Sequence, residues 1–297
     1  MNPPLPTREF QWVSSLVPEN EAPLRRLEAR MQEYYRSAQR YHEAIDFTAN
    51  SWLGGDPIYS WLVDWLSPAA SVLEVGCGRA NLLAAHPRFA PLYHGVDFDL
   101  QLLDSNRARF PAAQFSALAS GQEIPLPTGS FDRVFSVFVL EHCVFPARAL
   151  REWLRILKPG GELAIVCPDF LGRGWISSQR IGFGQGNARD KLRRGRVLDA
   201  MVTLCDSRIR MRRLAAKCRR EAGAGRGFFI NLAPTCFTDS FLPDVDAVYL
   251  TERTEIEGVM AHHATIGAPT GAATELAEAC NLLVLVCRKN AASPVVA

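Results

Sequence analysis

The sequence predicts an α/β protein whose mostly parallel sheet is covered by helices. Three observations predict it. Short apolar runs recur between residues 71 and 167, separated by segments with helical spacing. Several of these runs are apolar on both sides of the pleat, the mark of strands buried between helical layers. The first run ends in Gly76-Cys77-Gly78 and the second in Asp97, the arrangement of a nucleotide-binding strand, turn and helix.

The elements follow in order. Residues 1–19 are Pro-rich and polar and read as a loose arm. From Glu21 to about Ile45, Leu24, Leu27, Met31, Tyr34 and Tyr35 recur at helical spacing. Ile58–Leu66 reads as a second helix, ended by Ser67-Pro68. Strands are expected at Ser71–Val75, Leu92–Val96, Gln114–Ala117, Asp132–Val139 and Glu162–Cys167, with a helix over Ala147–Leu157 stopped by Lys158-Pro159-Gly160-Gly161. A basic segment, about 171–240, then interrupts the rhythm. It opens with Gly172, Gly174, Gly182, Gly184 and Gly186 and continues as a helical pattern from about Arg189 to Arg220. Asp246–Leu250 and Asn281–Cys287 read as the last two strands, with a helix near Glu255–His262 between them.

With 297 residues, 48% hydrophobic and 22% charged, the chain can bury a sizeable core. No apolar run is long enough to span a bilayer, and residues 1–6 lack the basic-then-apolar pattern of a signal peptide, which implies a cytoplasmic protein. The eight cysteines form no C-x-x-C pair, so buried thiols are expected rather than disulfides or a metal site. The net charge of +2 conceals an asymmetry: residues 173–226 hold 15 Lys/Arg against 4 Asp/Glu. Such a segment points to an anionic partner.

The glycine turn at 76–78 lets backbone approach a ligand closely, and Asp97, 21 positions after Gly76, can accept ribose hydroxyls. A dinucleotide fingerprint would need glycine at 81, where the chain has Asn81. Four segments together resemble class I S-adenosylmethionine methyltransferases of the small-molecule type 11 branch. They are Glu74-Val75-Gly76-Cys77-Gly78, Ile124–Asp132, Val139-Leu140-Glu141-His142 and Leu157-Lys158-Pro159-Gly160-Gly161, in the family's order and covering about 72–168. The resemblance implies a Rossmann-like sheet of seven strands, the last antiparallel, with S-adenosylmethionine as cofactor. It also implies a helical N-terminal lid and an inserted cap, dividing the chain into an arm and lid (1–66), the cofactor half (67–170), a basic cap (171–240), the last strands (241–290) and a tail (291–297).

By that resemblance Glu74, Gly76, Cys77 and Gly78 hold the methionine end of the cofactor, Asp97 the ribose, and Phe98 packs on the adenine. The family's adenine-reading acid is replaced here by Ser120 and Gly121, leaving Ser120 or Gln122 as substitutes. Glu141 and His142, at the carboxyl end of the fourth strand, are the catalytic candidates; a histidine there suits removal of a hydroxyl proton. In the cap, Arg210 and Arg213 are candidates for gripping an anionic acceptor through paired N–H donors, since nearby acids are few. The expected function is therefore methylation, with oxygen favoured as acceptor atom, of a small anionic or glycosylated molecule in a biosynthetic pathway. Alternatives are an RNA methyltransferase using the Arg-rich segment and a non-catalytic cofactor-binding subunit. The scarcity of interleaved aromatics and the absence of [DN]-P-P-[YF] after strand four disfavour a nucleic-acid substrate.

Overall fold

In the computed structural model, residues 10–14, 22–37, 51–119, 123–172, 188–221, 227–234, 246–267, 271–279 and 282–291 are described. Ser120, Gly121 and Gln122, and the cap glycines 174, 182, 184 and 186, lie outside them.

The main sheet has seven strands: β2 (Val72–Val75), β3 (Tyr93–Asp97), β4 (Gln114–Ala117), β5 (Phe131–Val137), β6 (Leu157–Pro168), β8 (Ala264–Gly267) and β9 (Leu282–Lys289). Their spatial order is β4-β3-β2-β5-β6-β9-β8. Strands β2 to β6 pair in parallel, and β9 is antiparallel to both its neighbours. The chain therefore winds outward from β2 in one direction and from β5 in the other. This leaves a crevice at the carboxyl ends of those two strands, where open α/β sheets bind ligands.

Helices cover both faces. On one side, α1 (Ala22–Ser37), α5 (Pro146–Ile156) and α9 (Arg253–Met260) contribute Leu24, Leu27, Met31, Leu150, Trp153, Ile256 and Met260 to the larger core. On the other, α2 (Pro57–Leu66), α3 (Asn81–Ala85) and α4 (Leu100–Arg109) contribute Leu62, Leu66, Leu82 and Leu103. Each fully buried side chain of this size contributes about 1.5–3 kcal/mol through apolar burial. Local chemistry fixes the helix starts. Asp56 caps α2 by accepting the Ile58 N–H (2.9 Å), with Pro57 at the first position. Asp99 caps α4 by accepting from Gln101 and Leu102.

The structure corrects several expectations. The arm is not wholly loose: β1 (Phe10–Ser14) pairs antiparallel with β7 (Gly227–Asn231), forming a second, two-stranded sheet. Asp246–Leu250 is not a strand of the main sheet. Its backbone bonds go instead to Glu141 and Phe229, and the sixth strand in sequence order is β8. A further helix, α10 (Ala272–Ala279), joins β8 to β9, while α9 precedes β8. The long cap helix is broken into α6 (Ala188–Arg193), α7 (Val197–Cys205), a π turn (Asp206–Arg210) and α8 (Met211–Glu221). Gly195, at φ +71°, makes the first break. Lys158–Gly161 is not a turn before the fifth strand but an irregular start of β6 itself.

Candidate functional site

The glycine turn is built by sterics. Gly76 sits at φ +71°, and a Cβ there would lie 2.4 Å from Val139 Cγ2, so only glycine lets β2 end against the chain leaving β5. Gly76 and Cys77 donate to the Val96 carbonyl (2.8 and 3.1 Å), binding the turn to β3. Gly78 N–H donates to Asp97 Oδ2 (2.8 Å), Asp99 N–H donates to Asp97 Oδ1 (3.1 Å), and Asn106 Nδ2 holds the Gly78 carbonyl (2.7 Å). Among the described residues, the non-glycines with positive φ are Ala80 (52°) and Phe138 (56°), one on each side of the crevice. Such positions cost about 1–3 kcal/mol each and concentrate where a ligand site is prepared.

Asp97 is buried, which pushes its carboxyl up; the backbone donors of Asp99, Gly78 and Phe98 oppose the shift. These accepted N–H bonds leave lone-pair capacity on the carboxylate for a further donor. Phe98 is half-buried and packs against the core beside it. Cys77 is a packing residue: burial pushes its thiol well up, and its sulfur would lie 2.8 Å from a Cβ on Gly95.

Glu74 is buried behind the turn, where Tyr93 Oη donates to its Oε2 at 2.5 Å. Burial raises its carboxyl from 4.5 to about 8, opposed by the Tyr93 bond and assisted by the Asp97 charge. Between those values the folded protein keeps a proton that the unfolded chain has lost. This contribution to stability is fully present below pH 4.5 and is lost as pH rises through about 8. Across that window it should cost stability about 1.4 kcal/mol per pH unit. Urea unfolding at a series of pH values should show Glu74→Gln with a flatter dependence than the wild type; parallel curves would place the titration elsewhere.

The catalytic candidates lie across the crevice. After β5, Leu140–His142 forms a short 3₁₀ turn, and the Glu141 carbonyl accepts the Val248 and Tyr249 N–H groups (both 2.8 Å). This pins the segment after the cap onto the sheet edge. Glu141 is fully buried, and its Oε1 lies 3.9 Å from His142 Nε2. His142 Nδ1 lies 3.3 Å from the Asp246 carbonyl oxygen and 3.5 Å from Asp246 Oδ2. Tyr35, from α1, donates through Oη to Asp246 Oδ2 (3.3 Å) and stands edge-on to the imidazole (centroids 5.8 Å apart). Asp246 and Tyr35 were not singled out from the sequence, lying 104 and 107 residues from His142. Ser136, on β5 beside Val75, is a further addition: its buried hydroxyl has no hydrogen-bond partner among the described residues.

The cap arginines are less bare than their count implied. Arg210 pairs with the buried Asp206, Arg193 with Asp190 (3.4 Å) and Arg196 with Asp199 (2.6 Å). The expectation that nearby acids are too few to pair them is corrected for these three, each matched three or four residues away on its own segment. Arg213 is exposed on α8.

A family model described as "Methyltransferase domain" matches residues 73–165. An uncharacterized methyltransferase of Mycobacterium bovis is 39% identical over 135 residues, 44% of this chain and 55% of that one. A second from the same organism is 32% identical over 135 residues, 43% of this chain and 68% of that one. The demethylmenaquinone methyltransferase of Chlamydia trachomatis is 34% identical over 110 residues, covering 35% and 47%. The chain thus spans about half the length of the first of these relatives. Among solved structures, the 1,6-didemethyltoxoflavin-N1-methyltransferase of Burkholderia thailandensis matches with a TM-score of 0.50 at 14% identity, over 97% of this chain and 98% of that one, a likeness of fold. The chain belongs to the class I S-adenosylmethionine-dependent methyltransferases. The residues present fit that cofactor: Gly76 and Gly78, both at positive φ, turn the chain at the crevice end of β2, and the buried carboxylate of Asp97 stands beside that turn. No helix among the described residues is long and apolar enough to cross a membrane.

Proposed function

We propose that the protein transfers a methyl group from S-adenosylmethionine to a small anionic or glycosylated acceptor, with a hydroxyl oxygen favoured, in a biosynthetic pathway. The observation that carries this reading is the placement of His142, backed by Asp246, at the same crevice that Gly76 and Asp97 line. When bound, the cofactor supplies an electrophilic methyl carbon on a sulfonium sulfur. In this reading Gly76, Cys77 and Gly78 present backbone to its methionine end, with Glu74 beneath them. Asp97 accepts the ribose hydroxyls and Phe98 packs on the adenine, while Ser120 or Gln122 reads the adenine amino group.

His142 would act as the base. Its Nδ1 faces two acceptor oxygens of Asp246, which favours the tautomer with a proton on Nδ1 and leaves Nε2 to take the acceptor's proton. The buried Glu141 carboxyl, 3.9 Å away, would stabilise the imidazolium that forms. Removal of that proton by His142 would leave the acceptor oxygen's lone pair free to take the methyl group that the bound cofactor would supply. Arg213, and Arg210 through whatever edge Asp206 leaves to it, would hold the acceptor's negative charge.

The test is transfer of labelled methyl from S-adenosylmethionine to a fractionated cell extract. The expected result is label in a small acidic product, lost with His142→Ala. Label in RNA would select the nucleic-acid alternative, and calorimetric cofactor binding without labelling would select the non-catalytic one. Arg213→Glu should raise the acceptor KM in a salt-dependent way and leave cofactor affinity alone. Arg210 is unsuitable for reversal because that would strand the buried Asp206. An unchanged KM at low salt would remove Arg213 from acceptor binding.

A further inference from the structure

Helix α7 is turned inside out. The side chains it buries are Ala200 and Thr203, continued by Asp206 and Ser207 of the π turn. Those it exposes are Val197, Leu198, Met201, Val202 and Leu204, continued by Ile209 and preceded by Leu192 on α6. Leu198 is 78% exposed and Thr203 only 3%. A helix packed on a protein ordinarily buries its apolar stripe and exposes its polar one. Of the ten large hydrophobic side chains exposed among the described residues, seven lie between 192 and 209, so this is a patch rather than scatter.

One polar bond ties the covered side of α7 to α6, and the others run along that side within the segment. Lys191 Nζ donates to Thr203 Oγ1 (2.6 Å), Thr203 Oγ1 to the Asp199 carbonyl (2.9 Å), and Ser207 Oγ to the Thr203 carbonyl (3.0 Å). Arg210 pairs with Asp206 on the same seam. Rolling α7 by itself to turn the aliphatic side chains inward would break the Lys191–Thr203 bond and carry Asp206 and Ser207 out to solvent.

Charge selects the occupant. Exposed arginines flank the aliphatic strip at both ends: Arg193, Arg194 and Arg196 before α7, and Arg208 and Arg212 after it. Residues 188–221 carry 12 Lys/Arg against 4 Asp/Glu. Two copies facing each other through this strip would juxtapose like charge. An anionic lipid surface satisfies both features, with aliphatic side chains entering the acyl boundary and arginines reaching the headgroup phosphates. We propose that the α6–α7 face of the cap docks onto a lipid surface bearing anionic headgroups. This surface is independent of the acceptor reading above.

The test uses the full chain with sedimented vesicles of phosphatidylcholine, alone or mixed with an equal part of phosphatidylglycerol. The expected result is binding to the mixed vesicles, weakened by salt. The variant Leu198→Asp with Val202→Asp should bind at least about tenfold more weakly. Circular dichroism checks the fold, and Leu198→Ser with Val202→Thr serves if the acidic variant does not fold. Failure to bind, equal binding to pure phosphatidylcholine, or binding indifferent to the substitutions overturns the proposal. So does a concentration-dependent dimer, or RNA binding, that the same variant abolishes, since either assigns the strip to another occupant.

Discussion

Replacing His142 with alanine should lower kcat by about 10²–10⁴-fold while leaving S-adenosylmethionine affinity nearly unchanged. The split follows from the geometry. The glycine turn and Asp97 are held by their own bonds to Val96, Gly78, Asp99 and Asn106. His142 is held by a separate set, from Asp246 and Tyr35. Asp246→Asn tests the positioning part of this argument. It should lower kcat by a smaller factor, again without moving cofactor affinity, because the imidazole keeps its main-chain partner but loses its carboxylate. The check is kcat, KM and calorimetric affinity for both variants on the acceptor found by labelling. Near-normal turnover by His142→Ala would leave orientation and desolvation of the acceptor as the mechanism.

What the sequence revealed and what it concealed divide along sequence distance. The glycine turn and Asp97 were legible because a strand, a tight turn, a helix and a second strand lie within 26 residues, from Val72 to Asp97, and each step has a local signature. The cluster around His142 was half legible. Its own position followed from the end of β5, but Tyr35 and Asp246 join it through folding of the lid and of the chain after the cap. No local pattern encodes those contacts.

Asp246–Leu250 misled because buried apolar residues resemble a core strand wherever they pack. Ala247, Val248, Tyr249 and Leu250 are all buried, yet their backbone partners are the Glu141 and Phe229 carbonyls rather than a main-sheet neighbour. β1 was hidden for the converse reason: five residues in a polar arm gain their pairing from β7, more than 200 residues later. Helix α7 shows the limit of periodicity. Its apolar spacing is helical, but spacing cannot tell which face the protein covers.

Replacing Asp97 with alanine should weaken S-adenosylmethionine affinity by roughly 10- to 150-fold, the equivalent of about 1.5–3 kcal/mol for a charged hydrogen bond. The carboxylate holds the glycine turn through the Gly78 N–H and the start of α4 through the Asp99 N–H. The alanine variant should therefore also lose stability, by about 1–3 kcal/mol for unpaired buried donors. Asp97→Asn separates the two roles. It keeps the shape and one acceptor oxygen but removes the charge and one acceptor, so it should bind the cofactor less tightly while unfolding closer to the wild type. Calorimetry gives the affinities, and urea unfolding the stabilities. NAD should not compete, because Asn81 stands where a dinucleotide turn needs glycine. If Asp97→Ala binds S-adenosylmethionine as tightly as the wild type, the ribose assignment is wrong. If only the asparagine variant does so, Asp97 acts by pinning the turn, and the ribose must be read by another group.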